Sequence, residues 1–460
     1  MKKRLPWLIG AAAIALLLAA FLLIKKACSA PVPPERAKIF LVGLDGADWD
    51  LLDPLIRRGK LPVIAGLRRQ GAWARLHTFS PTLSEVVWTS IATGKTMQKH
   101  GIVEQVYIDS QQRQVPYSNA EKKAPAIWEI FSDFKKKSLV LNWLVTYPPD
   151  PILGVMVSDY YADSICEIIE HRRSYRLFVE TVQPSRYFKS LQQFFKKGWE
   201  TGQLSAETVR RYMDIPDYVA WYLRRYGDAG ADIGRIPGLG RWPRFILDDF
   251  IIEKTLQRLL KESDYDLLAV YSHLPDVFLH FATLFLEPQY HERLERDMAG
   301  PRLNDPHMQA EFAERMAELA WPLLRYKERL IARLQEKARR ENAYLIVVSD
   351  HGFTLSREGY NHFGLPDGTS PPDGILLISG PGVAPGRRLD ASVLDVTPTI
   401  LYILGKPIGR DMDGRPLQEA FTFRHALRYA FYKKTSSPAS KNPFLSNEKL
   451  DALKSLGYIR

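Results

Sequence analysis

Residues 37–44 read A-K-I-F-L-V-G-L, and Asp45 and Gly46 follow them directly. Apolar side chains dominate this segment, and its Ile, Val and Phe favour a strand over a helix at such a short length. The segment does not alternate between apolar and polar residues, which indicates a strand buried on both faces, as in a parallel sheet. We therefore expect an α/β fold whose first strand ends at Asp45.

Four further runs of the same character recur along the chain, at residues 138–144, 265–271, 344–348 and 374–378. Segments with the 3.6-residue apolar period of amphipathic helices separate them. Strands that alternate with helices in this way predict a mostly parallel sheet covered by helices on both faces.

One part of the chain differs from this pattern. Residues 160–262 are rich in Arg, Tyr, Phe and Trp and have helical periodicity, which predicts an inserted helical cap. Residues 308–340 predict a long amphipathic helix, with Pro322 as a kink or break. The predicted order is a first part of the sheet domain (37–159), the cap (160–262), a second part (263–431) and a C-terminal tail (432–460).

The composition excludes several classes of protein. The 460 residues are 46% apolar and 25% charged, which is typical of a globular chain and not of a disordered one. Two cysteines, Cys28 and Cys166, are too few for a disulfide scaffold or a Cys-rich zinc module. The net charge is +11, but no basic element with interleaved aromatic residues occurs, so we expect no nucleic-acid partner. The composition does not predict an oligomeric state.

The N-terminal residues have the pattern of a membrane anchor. Residues 7–24 carry no charge, follow Lys-Lys-Arg and precede Lys-Lys. At about 1.5 Å per residue they would span about 27 Å, close to the thickness of a bilayer core. We predict a transmembrane anchor or signal segment at 1–30 and a proline-rich stalk at 31–36. The protein would then be a single-pass membrane protein with its catalytic domain outside the cytosol, in the periplasm or the extracellular space.

Metal-type ligands lie next to the predicted strands, at the edge where ligands gather in open α/β sheets. They follow the first strand and the strands at 265–271 and 344–348, and one more precedes the strand at 374–378. Three Asp and three His side chains suit two zinc ions or similar borderline metals. These candidate ligands are Asp45, Asp276, His280, Asp350, His351 and His362.

Residues 80–94 predict a loop that enters a helix and stops at Gly94. Thr82 and Glu85 have the spacing of a capping box, so we expect Thr82 to cap this helix. Ser84 would then lie in the first helical turn, where backbone N–H groups and the helix dipole favour an anion. A phosphoryl group on the Ser84 hydroxyl would be stabilised there, which makes Ser84 the candidate nucleophile.

Taken together, these motifs resemble the alkaline phosphatase superfamily and, within it, the type I phosphodiesterase/nucleotide pyrophosphatase branch. The resemblance is carried by Asp45-Gly46, the segment from Leu83 to Gly94, His100-Gly101-Ile102, Asp276-x-x-x-His280, Asp350-His351-Gly352, the segment from Asp373 to Gly382, and Asp395-x-x-Pro398-Thr399. It implies an alkaline phosphatase-like fold and a seryl-phosphate intermediate at a site with two divalent metal ions, expected to be Zn²⁺. It assigns one metal to Asp45, Ser84, Asp350 and His351, and the other to Asp276, His280 and His362.

The resemblance also bears on the phosphoester substrate. Gln105 occupies the place of an Asn in nucleotide-cleaving members, so we expect it to donate to a phosphoryl oxygen. The phosphatase branch has an Arg beside the nucleophile, and none lies between Ser84 and Gly101, which favours diesters. His273, just before Asp276, is a candidate for substrate contact.

Other functions stay open at this stage. A phosphomonoesterase or a transferase of phospho-headgroups would use the same intermediate, and a catalytically inactive, membrane-anchored binding protein is the alternative from another class. A sulfatase is disfavoured because the segment that begins at Ser84 lacks the C/S-x-P-x-R motif.

Overall fold

The structure is a computed structural model. It describes residues 36–169, 180–218, 220–221, 242–287, 290, 293–294, 296, 305–356, 359–362 and 371–434. The predicted anchor, nearly all of the stalk and most of the tail lie outside the described residues.

A nine-stranded sheet organises the fold, with strand order β13-β2-β12-β9-β1-β8-β5-β6-β7. Three two-stranded sheets accompany it, formed by β3 with β4, β10 with β11, and β14 with β15. The strands are β1 (Ile39–Leu44), β2 (Ala72–His77), β3 (Val106–Ile108), β4 (Gln114–Pro116), β5 (Ser138–Leu141), β6 (Gly154–Val157), β7 (Val182–Gln183), β8 (Leu267–Ser272), β9 (Tyr344–Val348), β10 (Thr354–Ser356), β11 (Gly359–Asn361), β12 (Gly374–Ser379), β13 (Ala391–Ser392), β14 (Ile408–Gly409) and β15 (Tyr429–Ala430).

Helices cover both faces of the large sheet. They are α1 (Trp49–Arg57), α2 (Pro62–Gln70), α3 (Ser84–Thr93), α4 (Met97–His100), α5 (Ile127–Asp133), α6 (Tyr161–Ile169), α7 (Arg186–Glu200), α8 (Ala206–Met213), α9 (Trp242–Leu259), α10 (Asp276–Ala282), α11 (Pro306–Glu341) and α12 (Val396–Ile403). Short 3₁₀ turns occur at Thr283–Phe285, Val393–Asp395 and Gln418–Ala420.

Strand β1 lies in the middle of the sheet, and all six of its residues are buried. It pairs in parallel with β8 on one side and β9 on the other. Phe40 and Val42 belong to the hydrophobic core on one face, and Ile39 and Leu41 belong to the core on the other. Successive side chains of a strand point to opposite faces, which explains why a strand between two helical layers is apolar throughout.

The sheet is mostly parallel, and this confirms the predicted fold class. The exceptions are β7, antiparallel to β6, and β12, antiparallel to both β2 and β9. Because β12 runs in the opposite direction to β9, its first residue, Gly374, lies near the carboxyl end of β9. The backbone around Ser349 and His351 approaches Gly374 closely. The chain just before β12 therefore meets the same sheet edge as the ends of β1, β8 and β9.

Two helical regions contact α10, the helix that begins at this edge. Helices α6 to α9 fall within the predicted cap, although its boundaries stay a prediction. Trp242 of α9 packs on Phe278 and Phe281 of α10, with ring centroids 5.4 and 5.6 Å apart.

The predicted break at Pro322 is wrong, because α11 continues through this residue as one 36-residue helix. Packing against α1, α2, α10 and β9 supports the helix along its length and offsets the backbone hydrogen bond that Pro322 cannot make.

Among the described residues, no helix combines the length and the apolar character needed to cross a bilayer. The longest of them, α11, carries charged residues throughout its sequence. This finding contradicts the prediction of a single-pass membrane protein with its catalytic domain outside the cytosol, which is withdrawn. The apolar residues 7–24 lie outside the described residues.

Candidate active site

The central strands end in register at one edge of the sheet. Leu44 pairs with Ser272, and Gly43 pairs with Val348, so β1, β8 and β9 finish side by side. The backbone N–H of Asp45 donates to the carbonyl of Ser272 at 3.1 Å, and that of Asp276 donates to the carbonyl of Asp45 at 3.1 Å. These bonds hold the polar residues that follow the strands in adjacent positions.

Six side chains form two neighbouring groups at this edge, and in each group one potential ligand atom from every residue lies within 4.8 Å of the others. The Nε2 atom of His351 is 3.9 Å from Oδ1 of Asp276, which places the groups next to each other. The imidazoles of His351 and His362 stack with centroids 3.9 Å apart. The first group consists of Asp45, Asp350 and His351, and the second consists of Asp276, His280 and His362. The six Asp and His residues among the seven predicted metal ligands are thus brought together.

The first group has polar atoms that the rest of the described protein does not satisfy. Nε2 of His351 lies 3.3 Å from Oδ1 of Asp45 and 3.3 Å from Oδ2 of Asp350. None of these three buried atoms makes a hydrogen bond of acceptable geometry among the described residues, and neither does the Ser84 hydroxyl. Buried polar atoms without partners are costly in a native protein. Their convergence fits a cation that binds oxygen and imidazole nitrogen.

Electrostatics in the first group also favour a cation. Burial and the negative charge of Asp45 raise the pKa of Asp350 well above its usual range. Burial alone would lower the pKa of His351, but the charges of Asp350 and Asp45 raise it to about 10. Burial would raise the pKa of Asp45, yet the contact with His351 and its positive charge hold that pKa below the ordinary value. The carboxyl groups of Asp45 and Asp350 therefore share the positive charge of His351, and a bound cation would add to it.

The second group is arranged around one carboxylate oxygen. Oδ1 of Asp276 lies 3.4 Å from Nε2 of His280 and 3.7 Å from Nε2 of His362. The i, i+4 spacing at the start of α10 accounts for the first contact. Burial, together with the charges of His351 and His280, lowers the pKa of His362 well below its usual value. His362 is therefore a neutral imidazole, the form that binds metals.

The helix that carries Ser84 begins differently from the prediction. Helix α3 starts at Ser84 itself, its N-cap residue is Leu83, and the Leu83 side chain makes no capping hydrogen bond. Thr82 is not the cap, because its hydroxyl donates to the backbone carbonyl of His362 at 2.5 Å. The helix ends at Gly94, as predicted, with φ of +68°. Ser84 thus lies in a first turn whose N-cap residue offers no side-chain acceptor, so an anion can accept hydrogen bonds from the backbone N–H groups there.

Contacts on either side of Ser84 connect its helix to both groups. Thr82 bonds to His362 of the second group, and the indole N–H of Trp88 donates to Oδ2 of Asp45 in the first at 3.3 Å. Ser84 is buried, with 5% of its surface exposed. The residues on either side of Ser84 therefore contact one residue of each group.

Sequence reasoning missed two side chains that contact Asp45. The Tyr271 hydroxyl donates to Oδ2 of Asp45, the same oxygen that accepts from Trp88. His273 Nδ1 lies 3.0 Å from the Tyr271 hydroxyl, so His273 is near the site, and its contact with substrate stays a prediction. In the sequence, Tyr271 resembles any other residue of a buried strand. The one sign of its role is that it is the last aromatic residue before a strand end that candidate ligands follow.

Gln105 is less well placed. It is buried, and its Oε1 atom has no hydrogen-bond partner among the described residues. Its backbone carbonyl accepts from the N–H of Tyr117 at 2.9 Å. No hydrogen bond or ion pair within the described chain joins Gln105 to either group, so its role stays a prediction.

Comparison with known proteins identifies related sequences and folds. The sequence profile of the type I phosphodiesterase/nucleotide pyrophosphatase family matches residues 39–365. The extracellular sulfatase SULF-1 homolog of Drosophila melanogaster is 35% identical over 97 residues, which are 20% of this chain and 8% of that protein. The chain therefore matches less than a tenth of the length of this curated relative.

Two solved structures are similar at low sequence identity. Phosphonate monoester hydrolase of Agrobacterium radiobacter is 15% identical with a TM-score of 0.45, and the match covers 92% of this chain and 83% of that one. Murine ectonucleotide pyrophosphatase/phosphodiesterase 5 is 14% identical with a TM-score of 0.43, covering 80% of this chain and 95% of that one.

Proposed function

The chain belongs to the type I phosphodiesterase/nucleotide pyrophosphatase family, and from this premise we propose that it is a metal-dependent phosphodiesterase with Ser84 as its nucleophile. The observation that carries the proposal is that two candidate ligand groups lie next to each other, and that Thr82 and Trp88, on either side of Ser84, contact one residue of each group. The family is one of phosphoester hydrolases, which agrees with a site built to bind an anion next to cations.

Two divalent ions fit the ligand sets. Asp45, Ser84, Asp350 and His351 would hold one ion, and Asp276, His280 and His362 would hold the other. A set of oxygen and imidazole ligands in which no cysteine takes part suits zinc among the common catalytic metals. When bound, such a pair of ions supplies positive charge that lowers the pKa of a hydroxyl and neutralises charge on the phosphoryl and leaving oxygens.

The protein's own residues account for the remaining chemistry. The Ser84 oxygen attacks phosphorus and releases its proton to solvent water, a new O–P bond forms, and the bond breaks to the leaving alkoxide or phosphate oxygen, which takes up a proton from water. Backbone N–H groups in the first turn of α3 bind the non-bridging oxygens. Gln105 would donate to one of them. Water then attacks phosphorus from the opposite side, and the bond to Ser84 breaks.

A preference for diesters over monoesters is supported by two lysines. The stretch from Ser84 to Gly101, where a phosphatase would carry its Arg, contains the cations Lys95 and Lys99. Lys95 pairs with Asp411 at 2.6 Å, and Lys99 pairs with Asp413 at 2.5 Å. Both ammonium groups are therefore neutralised by acidic residues of the C-terminal region. A doubly charged phosphate would find no spare cation there.

The test compares substrates and metal content on the same preparation. Protein purified without chelator is assayed with bis-p-nitrophenyl phosphate, p-nitrophenyl phosphate and p-nitrophenyl sulfate, and its metals are measured by elemental analysis. We expect about two zinc ions per chain and fastest release from the diester. Metal content near zero after refolding with zinc would refute the proposal. Faster turnover of the monoester would refute the diester preference alone.

A further inference from the structure

We infer that Tyr271 is a positioning residue that holds one oxygen of Asp45 and thereby reserves the other for a metal ion. This inference rests on the proposed function, since it concerns a ligand of the proposed site. It adds a residue outside the predicted ligand set and explains how a buried carboxylate is kept in one orientation.

The hydrogen bonds of Asp45 are divided unequally between its two oxygens. Oδ2 accepts from the Tyr271 hydroxyl and from the Trp88 indole N–H. Oδ1 accepts no hydrogen bond among the described residues and lies 3.3 Å from Nε2 of His351. Two donors on one side and a neighbouring ligand atom on the other fix the rotation of the carboxylate. The geometry therefore presents Asp45 to a metal through Oδ1 alone.

The single proton of the Tyr271 hydroxyl also determines the direction of the hydrogen bond between Tyr271 and His273. A tyrosine hydroxyl has one proton, and here it is donated to the carboxylate. Nδ1 of His273, 3.0 Å from the same hydroxyl oxygen, must then be the donor in that contact. The order of donation is His273 to Tyr271 to Asp45. A donor on the tyrosine oxygen polarises the hydroxyl and strengthens its bond to Asp45.

Packing holds the tyrosine in place. The Tyr271 ring packs edge-to-face against the rings of Trp88 and His273, with ring centroids 4.9 and 4.8 Å apart. Tyr271 is 1% exposed, so no solvent water competes for its hydroxyl. Partners that orient a metal ligand in this way typically contribute about 10- to 100-fold to metal affinity.

The experiment measures zinc affinity of the full-length protein after removal of metal, by titration against a competing chromophoric chelator. We expect Tyr271→Phe, which removes only the hydroxyl, to weaken one of the two zinc sites by about 10- to 100-fold and leave the other unchanged. Tyr161→Phe is the matched control. Tyr161 is also fully buried, but its hydroxyl lies near Thr255, away from both groups, so both affinities should equal those of the wild type.

A second pair of variants tests the order of donation. His273→Asn keeps a donor close to the position of Nδ1 and should retain most of the affinity, whereas His273→Ala should weaken the same site several-fold. Thermal unfolding of the metal-free variants shows whether each one folds. If Tyr271→Phe does not fold, the two His273 variants test the positioning role on their own.

The possible failures are distinct. If the wild type binds no zinc, the proposed function fails. If the wild type binds two zinc ions and Tyr271→Phe or His273→Ala binds them with wild-type affinity, the positioning role is overturned while the proposed function stands.

Discussion

At the scale of single residues, Asp350 is the most informative of the proposed metal ligands to replace. Asp350→Asn keeps the shape of the side chain but substitutes a neutral amide, a poor ligand, for a carboxylate. We expect it to empty the first group, with a loss of affinity larger than the roughly 10- to 100-fold typical of residues that only support ligands. Metal content per chain, measured after dialysis, should fall from about two towards one.

The matched control for this change is Asp390→Asn. The Asp390 side chain is 89% exposed and contacts only His77 among the ion pairs of the described residues. Its metal content should stay at the wild-type value. Retention of both metals by Asp350→Asn would contradict the assignment of Asp350 to the first group.

His100 gives a pH-dependent prediction away from the ligands. Burial and the nearby charge of Lys122 lower its pKa from 6.5 to about 3. Nδ1 accepts from the N–H of Ile102 at 3.2 Å, so Nε2 carries the proton and faces Ser90 at 2.9 Å. Between pH 3 and 6.5 the unfolded chain binds a proton that the folded chain does not. The contribution of His100 to stability is therefore lost as pH falls through this range.

Urea unfolding at pH 7 and pH 5 checks this effect in His100→Gln, which keeps a donor near Nε2 but does not titrate. The wild type should lose about 2 kcal/mol more than the variant between the two pH values. Equal losses would show that His100 is protonated in the folded protein or does not contribute.

Single residues also show what the sequence can predict about a site. The grouping of the six candidate ligands at one sheet edge was predictable, because ligands gather at strand ends. That they bind metal stays a prediction. The roles of Tyr271 and Thr82 were not predictable, since their partners, Asp45 and His362, are 226 and 280 residues away. A hydroxyl in a strand or loop gives no sign of a partner that only tertiary packing brings near.

At the scale of elements, the contact between β1 and α3 links the fold to the site. Gly43 of β1 lies under the indole of Trp88, and a Cβ at this position would come within 2.6 Å of the ring. Gly43→Ala should therefore displace Trp88, whose N–H bonds to Asp45. We expect a loss of about 1–3 kcal/mol in unfolding free energy, together with weaker zinc binding.

Gly66→Ala in α2 is the control for the same chemical change. Apart from its chain neighbours and the backbone of its own helix, no atom of the described residues lies within 4 Å of the position of its Cβ, and helix interiors prefer Ala to Gly. This variant should be more stable by about 0.5–1 kcal/mol, with unchanged zinc binding. If Gly43→Ala matches it in stability, Trp88 is not held by β1 as described.

Elements also differ in how well sequence predicts them. The strand at 344–348 was predicted with its observed bounds, because a short apolar run between polar residues has few alternatives. The direction of β12 was not predictable, since a buried strand has the same composition whether it is parallel or antiparallel. Pro322 misled the prediction for α11 because local propensity does not include the packing that supports the helix.

At the scale of the whole molecule, the proposed metals join the residues that follow β1, β9 and β11 to helices α3 and α10, which are far apart in the chain. Removing the metals should leave the two carboxylates of the first group with less compensating positive charge. With free metal at 100 to 1,000 times the dissociation constant, each bound ion adds about 3–4 kcal/mol to the unfolding free energy. Thermal unfolding with and without chelator should therefore differ clearly for the wild type and less for Asp350→Asn. Identical curves for the wild type would contradict a metal site that spans the sheet edge.

The central claim is that Ser84 is the nucleophile of a phosphoester hydrolase, and its most direct test is to trap the covalent intermediate. Enzyme turning over bis-p-nitrophenyl phosphate is quenched in acid, digested and mapped by mass spectrometry, with Ser84→Ala treated in parallel. We predict a phosphoryl ester on Ser84, and neither the ester nor significant turnover in Ser84→Ala. An ester on Thr82, Thr89 or Ser90, or near-normal turnover of Ser84→Ala, would contradict the account.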